Sequence, residues 1–367
     1  MPLKFHWRLL QGGERSAETR GTGASRKATG LPDLEAQIDF CRTAERLGIQ
    51  GVLTDFGASK PDSIVLATAL GLATRKIEFI IAYRSGLIAP TSFVQQINTL
   101  SALINGRLSL NIVAGHSPEE QAYYGDMLPH GERYARTGEF LEVCRALWQR
   151  NGPVTYQGRY YQTEEARLNT PFVADQRTFP EIFIAGGSKE AQELAIRCGT
   201  LWMQIGDTPE NLRESVQPVL AAGKEVGLRM AIIARPTHEE AIQAAHNLVQ
   251  ELDPSLREKQ KEQQFVRGSD SISIKATYAT AARVEWPKPY LWMGAVNTHG
   301  PATVCLVGSP EEVADAIMEY KKLGVSQFIL SGWPKLEEMV FFGEHVLPLV
   351  RKKEQELLPS TQAMKVV

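Results

Sequence analysis

The chain has 367 residues and is 43% hydrophobic, enough to bury one large core or two ordinary ones. Its net charge of −2 and isoelectric point near 6.4 give no electrostatic footprint for nucleic acid. No apolar run approaches membrane-spanning length, and MPLKFHWRLLQGGERS lacks an export-signal pattern, so a soluble cytoplasmic protein is expected.

LKFHWRL opens the chain as a predicted strand, and DLEAQIDFCRTAERLG follows as an amphipathic helix closed by glycine. GVLTDF, KIEFIIAYR and LSLNIVAG repeat the strand pattern, separated by the helical SIVLATALGLATR and PTSFVQQINTLSALING. A helix beginning near HGERYARTGEF continues through GEFLEVCRALWQRNG. VTYQGRYYQTEEARL then reads as an inserted hairpin, VTYQ and RYYQ around a glycine turn, after the fourth helix. EIFIAGG, LWMQIG and RMAIIAR are the next strands, interleaved with SKEAQELAIRCG, PENLRESVQPVLAAGKEVG and HEEAIQAAHNLVQELD. Residues 254–302 break the alternation, and their charge-dense first half is poor in large apolar residues. Such a segment before the last βα unit is expected to form a mobile lid, a purely structural excursion being the alternative. PEEVADAIMEYKKLG and QFILSG complete the pattern.

Eight strands alternating with helices predict an α/β protein of one domain, residues 1–367: a (β/α)8 TIM barrel with two insertions. An open doubly wound sheet would show the same periodicity, which does not report closure. Cys41, Cys144, Cys198 and Cys305 lie far apart without metal-ligand spacing, so reduced buried thiols and no metal are expected.

In such a barrel, function sits at the C-terminal strand ends and in the loops that follow them. Those ends are Trp7 and Arg8, Thr54 and Asp55, Tyr83 to Ser85, and Asn111 to His116. Gly186 to Ser188, Gln204 to Gly206, Arg229 to Arg235 and Ser331 to Lys335 complete the set. It lacks a close carboxylate pair and a nucleophile elbow. Its aromatic, amide and basic groups suit binding an aromatic anion better than hydrolysing a bond. In IAGGSKEAQEL, a glycine turn delivers Ser188 to a helix start, which suits a phosphate or a plain N-cap. HGERYAR offers His130, Arg133 and Tyr134 either to the same phosphate or to solvent.

AERLGIQGVL, LSALINGRLSLNIVAG, HGERYARTGEF, EIFIAGGSKEAQELA, LWMGAVNTHGPATVCLVGSPEEVADAI and LGVSQFILSGWPKLEEMVFFGEHVLPLV span nearly the whole chain. Through these segments it resembles the bacterial luciferase-like flavin monooxygenases, and is most similar to their alkanesulfonate monooxygenase branch. The resemblance implies a barrel that takes reduced FMN from a separate flavin reductase. Oxygen then adds at flavin C4a, and the resulting (hydro)peroxide oxidises a small organic substrate under a closing lid. It also implies a homodimer or homotetramer. The matching flavin positions are Asn111, Gly115, His116, His130, Arg133, Tyr134, Gly187 and Ser188, with Asp55 and Tyr83 near the ring or its edge.

The substrate positions depart from that branch. Lys60 stands where its members are similar in having Cys, and Ala231 where they have His. His299 replaces an Arg, Ile205 a Trp, Trp333 a Tyr and Lys335 a His, while Arg229 is retained. Arg229, His299, Trp333 and Lys335 are therefore the expected catalytic and substrate-binding set, with Lys335 alternatively a solvated helix start. The changes remove a proton-donating hydroxyl and two groups that titrate near neutrality, so short alkanesulfonates are expected to be poor substrates. A bulkier, less strongly anionic substrate is expected instead, with a carrier-tethered one left open. Deazaflavin F420-dependent hydride transfer and a non-catalytic flavin-binding subunit are the competing readings.

Overall fold

The computed structural model describes residues 1–10, 31–250 and 268–357. Strand β1 (Lys4–Arg8) is followed by α1 (Leu34–Arg46), β2 (Gly51–Thr54), α2 (Ser63–Ala73), β3 (Glu78–Arg84), α3 (Pro90–Leu103) and β4 (Leu108–Val113). A short helix α4 (Pro118–Tyr123) then precedes the long α5 (His130–Gln149). The hairpin strands β5 (Val154–Gln157) and β6 (Gln162–Ala166) pair antiparallel outside the main sheet; the expected insertion is there, but its second strand starts at Gln162, after most of the expected RYYQ run. The alternation resumes with β7 (Glu181–Ala185), α6 (Lys189–Cys198), β8 (Leu201–Ile205), α7 (Pro209–Ala221), β9 (Glu225–Ala234) and α8 (His238–Gln250). After α9 (Ile272–Ala281), β10 (Leu291–Trp292), α10 (Val296–His299) and β11 (Cys305–Gly308) come α11 (Pro310–Leu323) and β12 (Val325–Ser331). Helix α12 (Lys335–Phe341), a π-helical turn at Phe342–Val346 and α13 (Leu347–Glu356) end the described chain.

Parallel pairing runs β1-β2-β3-β4-β7-β8-β9-β12 and returns to β1, so the sheet is a closed (β/α)8 barrel and the open alternative falls. The helix starts obey local chemistry. Asp33, Asp62, Ser117, Ser188, Thr208, Ser271 and Ser309 each accept a backbone N–H of the first turn that would otherwise be unpaired.

Two later expectations also need correction. The helix expected to run to Gly227 stops at Ala221, because Gly223 turns the backbone at φ 70° and Glu225 already belongs to β9. The lengthened β9 outgrows the barrel, and its outer half pairs with β11, a four-residue strand not recognised in the sequence. Cys305, opposite Ala231 in that pairing, is buried like the helical Cys41, Cys144 and Cys198, and all four are free thiols.

Strand alternation divides the barrel. Phe5, Val52, Phe79, Ile81, Leu110, Ile184, Trp202, Leu228 and Phe328 face the helix layer and form the main core. Leu53, Ile80, Phe183, Leu201, Met203 and Ile329 fill the barrel interior. Below them His6 meets Gln327 at 2.9 Å and Lys4 meets Glu181 at 2.8 Å, a polar floor. Among the described residues, no helix is long and apolar enough to cross a membrane.

The β12–β1 seam that closes the barrel rests on Phe5, whose ring centroid lies 5.6 Å from Phe328 and 5.2 Å from Phe342. Phe5→Ala should cost about 3–5 kcal/mol of unfolding free energy. Denaturant unfolding with an unchanged midpoint would contradict a seam held by these rings.

Candidate active site

The same alternation that fills the interior determines which side chains reach the mouth. Arg8, Asp55, Ala82, Asn111, Arg229 and Ser331 lie one step beyond the apolar interior layer, toward the C-terminal side of the barrel. They line a cavity of about 340 Å³ whose further walls come from the loops after β2, β4 and β7 and from residues 271–274 and 299–303.

Asp55 is the electrostatic centre. Its Oδ2 accepts from Arg8 Nε at 2.5 Å and lies 3.3 Å from Lys60 Nζ, while Oδ1 lies 3.8 Å from Arg229 Nη2. Burial alone would raise the Asp55 carboxyl, but Arg8, Lys60 and Arg229 together hold it well below the usual carboxylate range. Burial pushes the pKa of both Lys60 and Arg229 downward, with Asp55 opposing it. Arg84 forms a second pair, Nη2 to Glu120 Oε2 at 2.5 Å, and its guanidinium covers the Phe56 ring at 4.8 Å. Its Nε and Nη1, Asn111 Oδ1 and Gln204 Nε2 have no hydrogen-bond partner among the described residues, and all three residues line the cavity.

His299 closes the opposite side. Its Nδ1 meets Thr298 Oγ1 at 2.8 Å, and its ring stands edge-on to Trp333, centroids 4.9 Å apart. Burial pulls its pKa down to about 4, so the imidazole is neutral near pH 7. Burial also lowers the pKa of His116, which lines the same cavity.

The glycine turn after β7 forms the far end of the cavity. Gly186 adopts φ 132°, and a Cβ there would meet the Tyr134 hydroxyl at 2.6 Å, so no side chain fits. Tyr134 and Gly186 line the cavity; Gly187 faces Ser273, and Ser188 caps α6 through Ala191 N. Ser188 also contacts Tyr134 through its side chain. Asp270 reaches in from the segment after α8, taking Arg133 Nη2 at 2.5 Å and His130 Nδ1 at 3.4 Å.

The mouth therefore brings together Asp55, Asn111, Gly115, His116, Tyr134, Arg229, His299 and Trp333 of the residues expected from sequence. Tyr83 is not among them. On β3 its neighbours Ala82 and Arg84 face the cavity, so Tyr83 faces outward and packs 4.3 Å from the Phe93 ring. Lys335, the first residue of α12, is buried outside the cavity lining. Ala231 is likewise buried with Trp292 and Cys305 and does not line the cavity. Arg133 does not line it either: its guanidinium binds the Ala114 and Leu128 carbonyls, each at 2.9 Å, and so fixes the loop after β4. His130 also lies outside the lining.

Sequence reasoning did not assign roles to Arg8, Arg84, Glu120, Gln204 and Ser273, which the cavity includes. Arg8, Arg84 and Gln204 sat at recognised strand ends, and strand parity was the signal that could have selected them. Among the described residues, no group of three His, Cys, Asp or Glu is placed to hold a metal.

A closed (β/α)8 barrel with a basic and aromatic mouth, a glycine-turn helix start and a hairpin insertion defines the class. The luciferase-like monooxygenase family model matches residues 10–327, and the chain belongs to that family. Solved structures share the fold. Riboflavin lyase with modified FMN and riboflavin is 20% identical with a TM-score of 0.73, the match covering 96% of this chain and 92% of that one. EDTA monooxygenase from Chelativorans sp. BNC1 is 21% identical with a TM-score of 0.73, covering 96% and 94%. An F420-dependent secondary alcohol dehydrogenase is 19% identical with a TM-score of 0.64, covering 96% and 100%.

One carboxyl behind the mouth titrates near neutrality. Glu338 lies against Gly332, where an added Cβ would meet its Cβ at 2.4 Å, and accepts from Arg235 Nη2 at 2.6 Å. Burial lifts its carboxyl to about 7 against the opposing pull of Arg235. A folded-state pKa above the unfolded value of about 4.3 means that the fold favours the protonated acid. Its contribution is complete below about pH 4 and is lost as pH rises through about 7. The stability of the wild type relative to Glu338→Gln should therefore fall by roughly 2–4 kcal/mol across that window. Parallel pH profiles of unfolding free energy for the two proteins would contradict this assignment.

Proposed function

We propose that the chain is a two-component monooxygenase, taking reduced FMN from a separate flavin reductase and using oxygen to oxidise an organic substrate. The carrying observation is the single cavity that runs from Tyr134 and Gly186 at one end to Arg229, His299 and Trp333 at the other. Its residues fit a flavin. Gly186 leaves the backbone bare beside the Tyr134 hydroxyl, and the start of α6 offers N–H groups to a phosphate. The unpartnered Asn111 Oδ1, Gln204 Nε2 and Arg84 guanidinium nitrogens suit the polar edge of a flat ring system. Gly115 and His116 border the same space, and Gly187 and Ser188 continue the phosphate end.

FMN, when bound reduced, supplies the oxygen activation that no side chain of this protein can. The chain's own groups do the remaining work. Trp333 and the residues around Gly300 wall the site and exclude water. His299 Nε2, on a neutral ring with no partner among the described residues, is placed to accept or donate a proton. Arg229 keeps a fixed positive charge in the cavity. Residues 254–302 form the lid in this reading. Residues 254–267 lie outside the described residues, while Ser271, Ser273, Ile274 and His299 to Ala302 border the cavity.

In this reading the chain falls with the alkanesulfonate monooxygenase branch of the family, with Lys60, His299 and Trp333 as the altered substrate positions. F420-dependent hydride transfer is the second reading, favoured by the F420-dependent enzymes that share the fold. Reconstitution with FMN, NADH and a flavin reductase separates the two. Oxygen-dependent substrate loss supports the monooxygenase; turnover only with reduced F420 overturns it.

The phosphate end yields a direct expectation. Tyr134→Phe combined with Ser188→Ala should weaken FMN binding by about 1.5–3 kcal/mol per lost charge-assisted hydrogen bond. Loss of the α6 cap adds a separate stability cost of about 1 kcal/mol, read by unfolding and not by titration. Unchanged FMN affinity in the double variant would remove this end of the cavity as the phosphate site.

A further inference from the structure

Among the described residues, the cavity lining carries more positive than negative charge. Among the described residues its charged lining is Arg8, Lys60, Arg84 and Arg229 against Asp55 and Glu120. Two of the cations are matched by tight contacts, Arg8 to Asp55 and Arg84 to Glu120, each at 2.5 Å. Lys60 and Arg229 are left with only longer approaches to the same Asp55, at 3.3 Å and 3.8 Å. They reach different oxygens, Lys60 near Oδ2 and Arg229 near Oδ1, so they flank the carboxylate and are not stacked on one side of it.

We propose that Lys60 and Arg229 form an acid-binding subsite for a substrate carrying two negative charges at one end, one charge for each cation. The inference rests on the monooxygenase reading for what happens to that substrate, but the binding itself needs no flavin. Two partly desolvated cations sharing an already paired carboxylate are under-compensated, and their lowered pKa values agree with this. A monoanion would balance one and leave the other. A dianion balances both and gains the bidentate geometry that Arg229 offers. His299 and His116 add no competing charge near neutral pH, since burial lowers both. The expectation of a less strongly anionic substrate rested on Lys335 and His299 softening the site; Lys335 lies outside the cavity and Lys60 stands inside it. Trp333 still supplies an apolar wall for the rest of the molecule.

The test is calorimetric titration of the flavin-free protein with glutarate, methylphosphonate and butyrate at constant ionic strength and about pH 8. Both dianions should bind at least about tenfold tighter than butyrate. A preference for glutarate over methylphosphonate assigns two separate acid groups, and the reverse assigns one dianionic head. Lys60→Gln and Arg229→Gln should each bring the dianions down to the butyrate level, while Lys60→Arg keeps the preference. Circular dichroism checks that each variant is folded, and Lys60→Gln, the nearer to isosteric change, decides the matter if Arg229→Gln does not fold. Equal affinity for mono- and dianions, or a preference that survives Lys60→Gln, overturns the subsite. If dianions bind as described but FMN-dependent oxygen uptake fails, the monooxygenase reading falls and the subsite stands.

Discussion

Asp55 leaves the tip of β2 with its carboxylate among Arg8, Lys60 and Arg229, and the electrostatics of the barrel mouth follow from that placement. Two like charges about 4 Å apart repel by roughly 4 kcal/mol at the effective dielectric of a partly buried site. Without the carboxylate, the cations on β1, β9 and the loop after β2 would be driven apart or neutralised. With it, Arg8 is satisfied outright, while Lys60 and Arg229 are positioned but not discharged. The mouth is thereby pre-organised for an anion that the described residues do not themselves provide.

Barrel closure makes the arrangement possible. Arg8, Asp55 and Arg229 come from strands far apart in sequence, and only the return of β12 to β1 on one side and β9 on the other brings them within reach. Beneath them the apolar layer of Leu53, Ile80, Phe183, Met203 and Ile329 excludes water from below. Above them the loop after β4 is fixed by Arg133, whose bonds to the Ala114 and Leu128 carbonyls keep Gly115 and His116 at the rim. Arg133 thus acts on the loop and on Asp270, and reaches the cavity only through them.

The barrel was legible because its evidence is repetitive: eight short apolar runs alternate with helical patterns, several of them closed by glycine. The outer strand β11 was not. Cys305–Gly308 is a four-residue run with no periodicity of its own, and it is a strand only because β9 extends past the barrel to receive it. The site was half legible. Asp55, Asn111, Arg229 and the loop after β4 were among the strand-end candidates and line the cavity, whereas Tyr83, offered near the ring by the resemblance, is turned outward by strand parity. Lys335 and Ala231 show a different limit. Each occupies a position that the resemblance matches to a substrate residue, yet each side chain is buried outside the cavity lining, which a sequence resemblance does not report. Lys60 lies in a loop with no strand to fix its direction, and its approach to Asp55 is a tertiary fact.

In the proposed reading, FMN binds this cavity with its phosphate at the Gly186–Ser188 turn and its ring toward Asn111 and Arg229. A crystal structure of the protein soaked with FMN tests it most directly. Phosphate density is expected beside Tyr134 and the first turn of α6, with the ring inside the mouth formed by the strand ends. Flavin bound elsewhere on the barrel, or with its phosphate at Lys60 and Arg229, would contradict it.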